Sequence, residues 1–427
     1  RQVGKSTLVR EFAAGSGLPL WEVNLEKHKS LDKVFKTLDT SLILQELGLA
    51  INQSGVGKGK GILFLDEIQE TPYALASLRY FFEEKPELAI IAAGSLLEFT
   101  LSQAEFPMPV GRIEYHWLGP LTFEEYLAGA GETEALRHLA AWKTGNQLPF
   151  ALHERMLRRL REFLVVGGMP EATQTFIDQG EYKSALEVHQ SILETYRDDF
   201  SKYARGAELE KLRRIFEVVP RAIGRKVQYR QFHPDWKAQD IRHGLELLQR
   251  AGIALPVVHS SGQGLPLGAS EDPTVWKLFF LDVGLCGTAN GNALLSLEDF
   301  LQGRFINEGA IAEQFAAQHL MATLPPGQRT RLHYWLREGK ANNAEVDFLL
   351  PLNDQVVPLE IKAGSSGSLR SLHQYMADHP LGMAMRLDLN TPSVQDISTT
   401  IMSPAGKRAV QYRLYNLPLY LAGRMFQ

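Results

Sequence analysis

The sequence predicts an α/β protein in three successive parts, and three observations predict it. Over residues 1–145, apolar runs of strand length alternate with stretches of helical spacing, the order that builds a mostly parallel sheet. Over residues 146–290 helical periodicity takes over and ends in two apolar strands joined by a Gly/Ser/Pro loop. Over residues 291–427 a helix is followed by three short strands, the last two of which carry Glu345, Asp347, Glu360 and Lys362 at alternate positions.

Composition sets the frame. A chain of 427 residues holds two or three domains, each large enough for its own core. Its 44% hydrophobic and 22% charged content is that of a globular protein. The formal net charge of −4 argues against wholesale coating of nucleic acid while leaving room for a local basic face. Cys286 is the only cysteine, so an intrachain disulfide and a multi-thiolate metal site are excluded, which fits a cytoplasmic setting. No apolar run reaches the length of a membrane span, so no membrane partner is expected.

In the first part, Gly4, Lys5 and Ser6, followed by Thr7, fill the last three places of the pattern G-x-x-x-x-G-K-[ST], a phosphate-binding P-loop. Gly4 lets backbone N–H groups approach phosphate oxygens without a Cβ in the way. Lys5 supplies a cation for the β- and γ-phosphates, and the Ser6 hydroxyl suits Mg²⁺. Residues 5–13 have helical spacing, which puts the loop at a positive helix N-terminus, and Thr7 completes the candidate cofactor-binding set. The pattern's first Gly and the strand before it would precede residue 1, so the polypeptide as it stands is expected to bind nucleotide poorly.

The run Ile62-Leu63-Phe64-Leu65 then reads as a buried strand ending in Asp66-Glu67. The C-terminal edge of such a sheet is where ligands bind. Asp66 is the candidate for the Mg²⁺ shell and Glu67 for activating the attacking water of an ATP-hydrolysing site. The strand at residues 88–93 ends in Ala93-Gly94-Ser95, where Ser95 either faces the γ-phosphate and its water or caps a helix over residues 96–101. A short strand is expected at residues 113–118, and Thr122 with Glu125 forms a capping box.

These stretches together resemble a group, the prokaryotic AAA-type ATPases with a C-terminal half of unassigned function. The resemblance is carried by Gln2-Val3-Gly4-Lys5-Ser6-Thr7, Leu65-Asp66-Glu67-Ile68-Gln69, Ala93-Gly94-Ser95, Gly111-Arg112, Gly119-Pro120-Leu121, Gly167-Gly168-Met169-Pro170 and Phe280-Leu281-Asp282-Val283-Gly284-Leu285. It spans nearly the whole chain. It implies ATP and Mg²⁺ as cofactors and makes Arg112 a candidate sensor of the γ-phosphate, against the alternative of an ordinary ion pair. Proteins of this kind often assemble, so a homo-oligomer is a further expected partner.

In the middle part, residues 150–164 make a basic amphipathic helix, the kind of charge run that usually faces solvent. Residues 202–230 hold nine Lys/Arg against three Asp/Glu. A helix over residues 236–251 is followed by strands at 253–259 and 275–280, the order of a winged helix-turn-helix. Nucleic acid, with DNA favoured, is therefore a candidate partner, although the helix mixes Lys237, Arg242 and Arg250 with Asp240 and Glu246.

In the last part, a helix over residues 305–320 carries Glu308, a strand carries Glu345-Val346-Asp347, and Glu360-Ile361-Lys362 follows thirteen residues after the Asp. This looks like the core of the PD-(D/E)xK nuclease superfamily, a restriction-nuclease-like α/β domain. The resemblance makes Asp347 and Glu360 metal ligands, Glu308 an outer carboxylate and Lys362 the cation beside the nucleophile. The alternative is a surface hairpin with edge charges, in a domain that binds a partner without cutting it. Pro418 marks residues 414–421 as an edge strand or extended tail.

Overall fold

The computed structural model describes residues 2–95, 97, 99, 111–291, 308–325, 327, 331–339, 343–364, 368–403 and 406–425. The chain divides into two compact units, residues 1–118 and 119–427.

The first unit is built on three parallel strands in the order β1-β2-β3, with β1 at Leu20–Asn24, β2 at Gly61–Asp66 and β3 at Leu88–Ala92. β2 is central because its apolar run tolerates burial on both faces, and every residue in it is buried. Among the described residues, four helices pack around the sheet: α1 at Lys5–Ser16, α2 at Asp32–Phe35, α3 at Thr40–Ala50 and α4 at Pro72–Glu84. The helical spacing that runs through residues 31–49 is interrupted at Leu38, whose φ of 59° leaves the helical region. Asp39 then restarts it by accepting the N–H groups of Ser41 and Leu42. Val23, Phe35, Leu47, Leu63, Leu65 and Phe81 fill the core. The strand expected at residues 113–118 does not form; that stretch pairs with no strand among the described residues.

The second unit opens with helices. These are α5 (Phe123–Gly129), α6 (Thr133–Ala141), α7 (Phe150–Val166), α8 (Pro170–Gln179), α9 (Tyr182–Asp199), α10 (Ala207–Val218) and α11 (Ala238–Arg250). α5 starts at the Thr122–Glu125 capping box. With α5 and α6 assigned here, the first unit ends at residue 118 and not at 145. The basic face of α7 is exposed at Arg155, Arg158 and Arg161, and Arg155 and Arg159 both grip Glu132, whose side chain is only 2% exposed.

A mixed eight-stranded sheet follows, in the order β10-β11-β9-β8-β7-β6-β4-β5. Its strands are β4 (Ala254–Ser260), β5 (Glu271–Phe280), β6 (Leu332–Arg337), β7 (Ala344–Leu352), β8 (Gln355–Ile361), β9 (Met383–Asp388), β10 (Ser393–Ser403) and β11 (Gly406–Pro418). Helices α12 (Val283–Ala289), α13 (Glu308–Thr323) and α14 (Arg370–Asp378) pack with it. This corrects two expectations. β4 and β5 do form an antiparallel pair, but β4 uses its other edge to pair with β6, Val257 opposite Leu332. They are therefore strands of the C-terminal sheet and not a free-standing wing, and the boundary at residue 290 falls within one structure. β11 pairs with both β10 and β9, so it is internal, and Pro418 closes it at the last position. A missing N–H is tolerated at a strand end.

α13 is buried on most of its surface, and its polar side chains are spent on backbone groups. The Gln314 amide accepts from Phe280 N at 2.7 Å and donates to Phe280 O at 2.7 Å. His319 accepts from Phe123 N through Nε2 at 2.8 Å and donates from Nδ1 to Phe315 O at 2.8 Å. A ring that accepts at Nε2 must be neutral there. Burial pushes its pKa down to about 4, against the pull of the Phe315 carbonyl. The folded value lies below the ordinary one, so this stability is present above pH 6.5 and is lost as pH falls through 4. The loss should total about 3 kcal/mol. An NMR titration that found the His319 ring protonating near its ordinary value would refute this.

Candidate functional site

The first unit brings its two motifs together at the C-terminal edge of the sheet. Gly4 is the N-cap of α1 at φ 84°, a left-handed conformation natural to glycine, and Lys5 and Ser6 open the helix behind it. The Ser6 hydroxyl donates to Asp66 Oδ2 at 3.1 Å, joining the start of α1 to the end of β2. Asp66 is held above the usual carboxylate range, chiefly by burial, with the Ser6 bond opposing and Glu67 adding to it. Hydroxyl and carboxylate oxygens meeting at a helix N-terminus are the hard donors that Mg²⁺ prefers. Thr7 lies exposed on the first turn of α1.

Glu67 follows directly, at φ 52°. A non-glycine residue in the left-handed region carries strain of order 1–3 kcal/mol, a feature that gathers at working sites. Two side chains hold its carboxylate: Gln69 Nε2 and, at 3.3 Å, Ser95 Oγ both donate to Glu67 Oε2. Ser95 thus reaches the Glu67 carboxylate from the end of β3. Gly94 makes room for this arrangement, because a Cβ there would meet Gln69 Oε1 at 2.3 Å. Gln69 is the member of this set that motif reading did not assign a role.

Arg112 lies elsewhere in the unit. Its guanidinium stands 5.3 Å from the Phe82 ring centre and 3.8 Å from Glu83, at the last turn of α4. α4 leaves the Asp66 edge and runs back along its thirteen residues, about 20 Å, before β3 begins. The ion-pair alternative is the one this arrangement fits; Arg112 is not brought to Asp66 of its own chain.

Residues 1–127 match the AAA domain family. Residues 157–296 and 308–395 match two further families, each described as a domain of unknown function (DUF8612 and DUF4143). The first of these contributes β4 and β5 to the same sheet that the second continues. No curated protein and no solved structure gives a significant match. Among the described residues, no helix is long and apolar enough to cross a membrane.

The second unit has its own charged centre. Asp347 on β7 accepts from Ile361 N at 2.7 Å, which ties it to the end of β8. Glu360 pairs with Lys362 at 2.6 Å. Burial, then the charge of Asp347, pushes Glu360 up to about 8, with Lys362 opposing. Its other oxygen, Oε2, is buried without a hydrogen-bond partner among the described residues. So Asp347, Glu360 and Lys362 do lie together.

Glu308 is not the helix carboxylate of this centre. Glu313 is, and the two stand five residues apart, about 140° around α13. Lys277 on β5 is the larger surprise. Its ammonium, with 0% side-chain exposure, bonds Glu345 at 3.0 Å and Glu313 at 3.2 Å and lies 3.9 Å from Asp347. The rings of Tyr334, Phe348 and Phe279 surround it at 5.1, 5.3 and 5.7 Å. Burial alone would lower its pKa, yet Glu313, Glu345 and Asp347 together raise it, so Lys277 is charged. A single lysine inside Val275-Trp276-Lys277-Leu278-Phe279-Phe280 was the available signal, since an apolar strand carries a charge only where a partner meets it.

Among the described residues, no group of three or more His, Cys, Asp or Glu is placed to hold a metal ion. Asp347 and Glu313 direct oxygens at Lys277, so the donor set does not fit a divalent ion here. Five of the nine Lys/Arg in the basic stretch at 202–230, namely Lys202, Lys211, Arg213, Arg214 and Lys226, are paired with carboxylates.

Proposed function

We propose that the chain is an ATP-binding and hydrolysing AAA-type ATPase whose ATP state controls a nuclease-like C-terminal domain that binds its partner without cutting it. The observation that carries the ATPase is the Ser6–Asp66 contact, which joins the phosphate loop to the carboxylate at the strand end. There Gly4 and the following N–H groups cradle phosphate, Lys5 offsets its charge, and Ser6 and Asp66 would hold Mg²⁺. When bound, that ion neutralises charge on the phosphates. Glu67, held by Gln69 and Ser95, takes the proton of the attacking water.

A binding role without cleavage is supported by Lys277, which fills the space between Glu313, Glu345 and Asp347. The second reading, a nucleic-acid-directed nuclease, is favoured by Glu360, which pairs with Lys362 through one oxygen and keeps the other buried and unpartnered among the described residues. End-labelled DNA and RNA decide between them. They are incubated with the protein and Mg²⁺ or Mn²⁺, with and without ATP, beside Asp347→Ala and Lys5→Ala. ATP turnover lost in Lys5→Ala, with no cutting in any sample, is expected. Metal-dependent cutting that disappears in Asp347→Ala would replace the first reading by the second.

A further inference from the structure

We propose that the Lys277 ammonium is the permanent cation of the C-terminal centre, filling the cluster of Glu313, Glu345 and Asp347 in place of a divalent ion. The inference rests on the reading of this domain as a binding module and gives it a chemical cause.

Three features support it. The ammonium has three N–H donors and three carboxylates around it, from Glu313, Glu345 and Asp347. These carboxylates come from α13 and β7, while the lysine comes from β5. Each element thus supplies one sign of charge, and the centre closes only when all are in place. The ring faces of Tyr334, Phe348 and Phe279 line the remaining space, favouring a cation and excluding the waters a hydrated Mg²⁺ would retain. Finally, Asp347 is used on both oxygens: Oδ1 faces Lys277 and Oδ2 accepts from Ile361 N. A divalent ion at Asp347 would have to displace one of these partners.

Removing the lysine should turn the pocket into a metal site. Without it, the Glu313, Glu345 and Asp347 carboxylates face one another uncompensated, and a divalent cation relieves the repulsion. The chain would then be less stable without metal and would regain stability by binding it.

The test uses the full chain, free of nucleotide, titrated with Mn²⁺ and read by the electron paramagnetic resonance of free Mn²⁺. Wild type, Asp347→Asn, Lys277→Ala and the double variant are compared. Wild type and Asp347→Asn should give the same isotherm. Lys277→Ala should bind one additional Mn²⁺, at least about tenfold tighter than anything Asp347 contributes in wild type. Asp347→Asn should remove that ion, and Mn²⁺ should raise the melting temperature of Lys277→Ala alone. An Mn²⁺ ion in wild type that Asp347→Asn abolishes would overturn the proposal, as would a folded Lys277→Ala with no gain. If Lys277→Ala does not fold, the wild type and Asp347→Asn pair decides by itself. Because nucleotide is absent, a failed ATPase reading leaves this result standing, whereas cleavage lost in Asp347→Ala would defeat the binding-module reading separately.

Discussion

Glu67→Gln is expected to lower ATP turnover by roughly 10²–10⁴-fold while leaving nucleotide affinity nearly unchanged, the range for losing a positioned general base. The side chain keeps its length and shape but can no longer take a proton. Its placement is the reason to expect so large an effect. The backbone at Glu67 is held left-handed, and Gln69 and Ser95 both donate to the carboxylate, so the group is fixed before any substrate arrives. Asp66, one residue earlier, has the different task of facing Ser6. Single-turnover hydrolysis and equilibrium nucleotide binding separate the two roles. Unchanged turnover would move the base elsewhere; affinity lost in step with turnover would make Glu67 a binding residue.

The N-terminal site was legible in the sequence because its chemistry is local. Gly4-Lys5-Ser6 and Asp66-Glu67 each sit within one turn or one strand end, and the rule that ligands gather at the C-terminal edge supplies the contact between them. Ser95 and Gln69 join that site through side chains whose direction depends on tertiary packing, which motif spacing does not encode. The C-terminal centre shows the limit more sharply. Asp347, Glu360 and Lys362 follow from strand alternation, since β7 and β8 are neighbours. Lys277 lies seventy residues before Asp347, on a strand that reads as half of a wing hairpin. Only the parallel pairing of β4 with β6 carries β5 into the same sheet, and parallel partners are not neighbours in sequence. Glu308 and Glu313 share one helix, and choosing between them requires knowing which face of α13 meets the sheet. Polar and apolar residues are spread around that whole helix, so periodicity gives no face.

Asp282→Ala is expected to cost the second unit about 3–5 kcal/mol, by leaving several buried donors without an acceptor. Asp282 is 0% exposed and accepts from Gly168 N at 2.6 Å, Leu285 N at 2.9 Å and Gln318 Nε2 at 3.2 Å. One of these bonds caps α12, one holds α13, and one fixes the chain after α7. This explains two stretches that carry no catalytic group. Gly167-Gly168 must be small, because a Cβ on Gly167 would meet Asp282 Oδ1 at 2.2 Å and one on Gly168 would meet Leu121 O at 2.1 Å. Leu121 N in turn donates to Gly168 O at 2.7 Å. The Gly-Gly-Met-Pro and Leu-Asp-Val-Gly stretches are thus two halves of one buried joint, and their residue types follow from contact and not from chemistry on a substrate. Asp282→Asn keeps an acceptor for the α12 cap but turns an amide N–H₂ toward a donor, so it should fall between wild type and alanine. Amide hydrogen exchange of peptides covering residues 280–289, followed by mass spectrometry, reads the loss locally. Exchange there should quicken by at least about 10²-fold in Asp282→Ala, the ratio that about 3 kcal/mol implies. Protection within about tenfold of wild type would mean that water or a neighbouring group replaces the carboxylate, and the joint would then not be what holds α12 and α13 to the sheet.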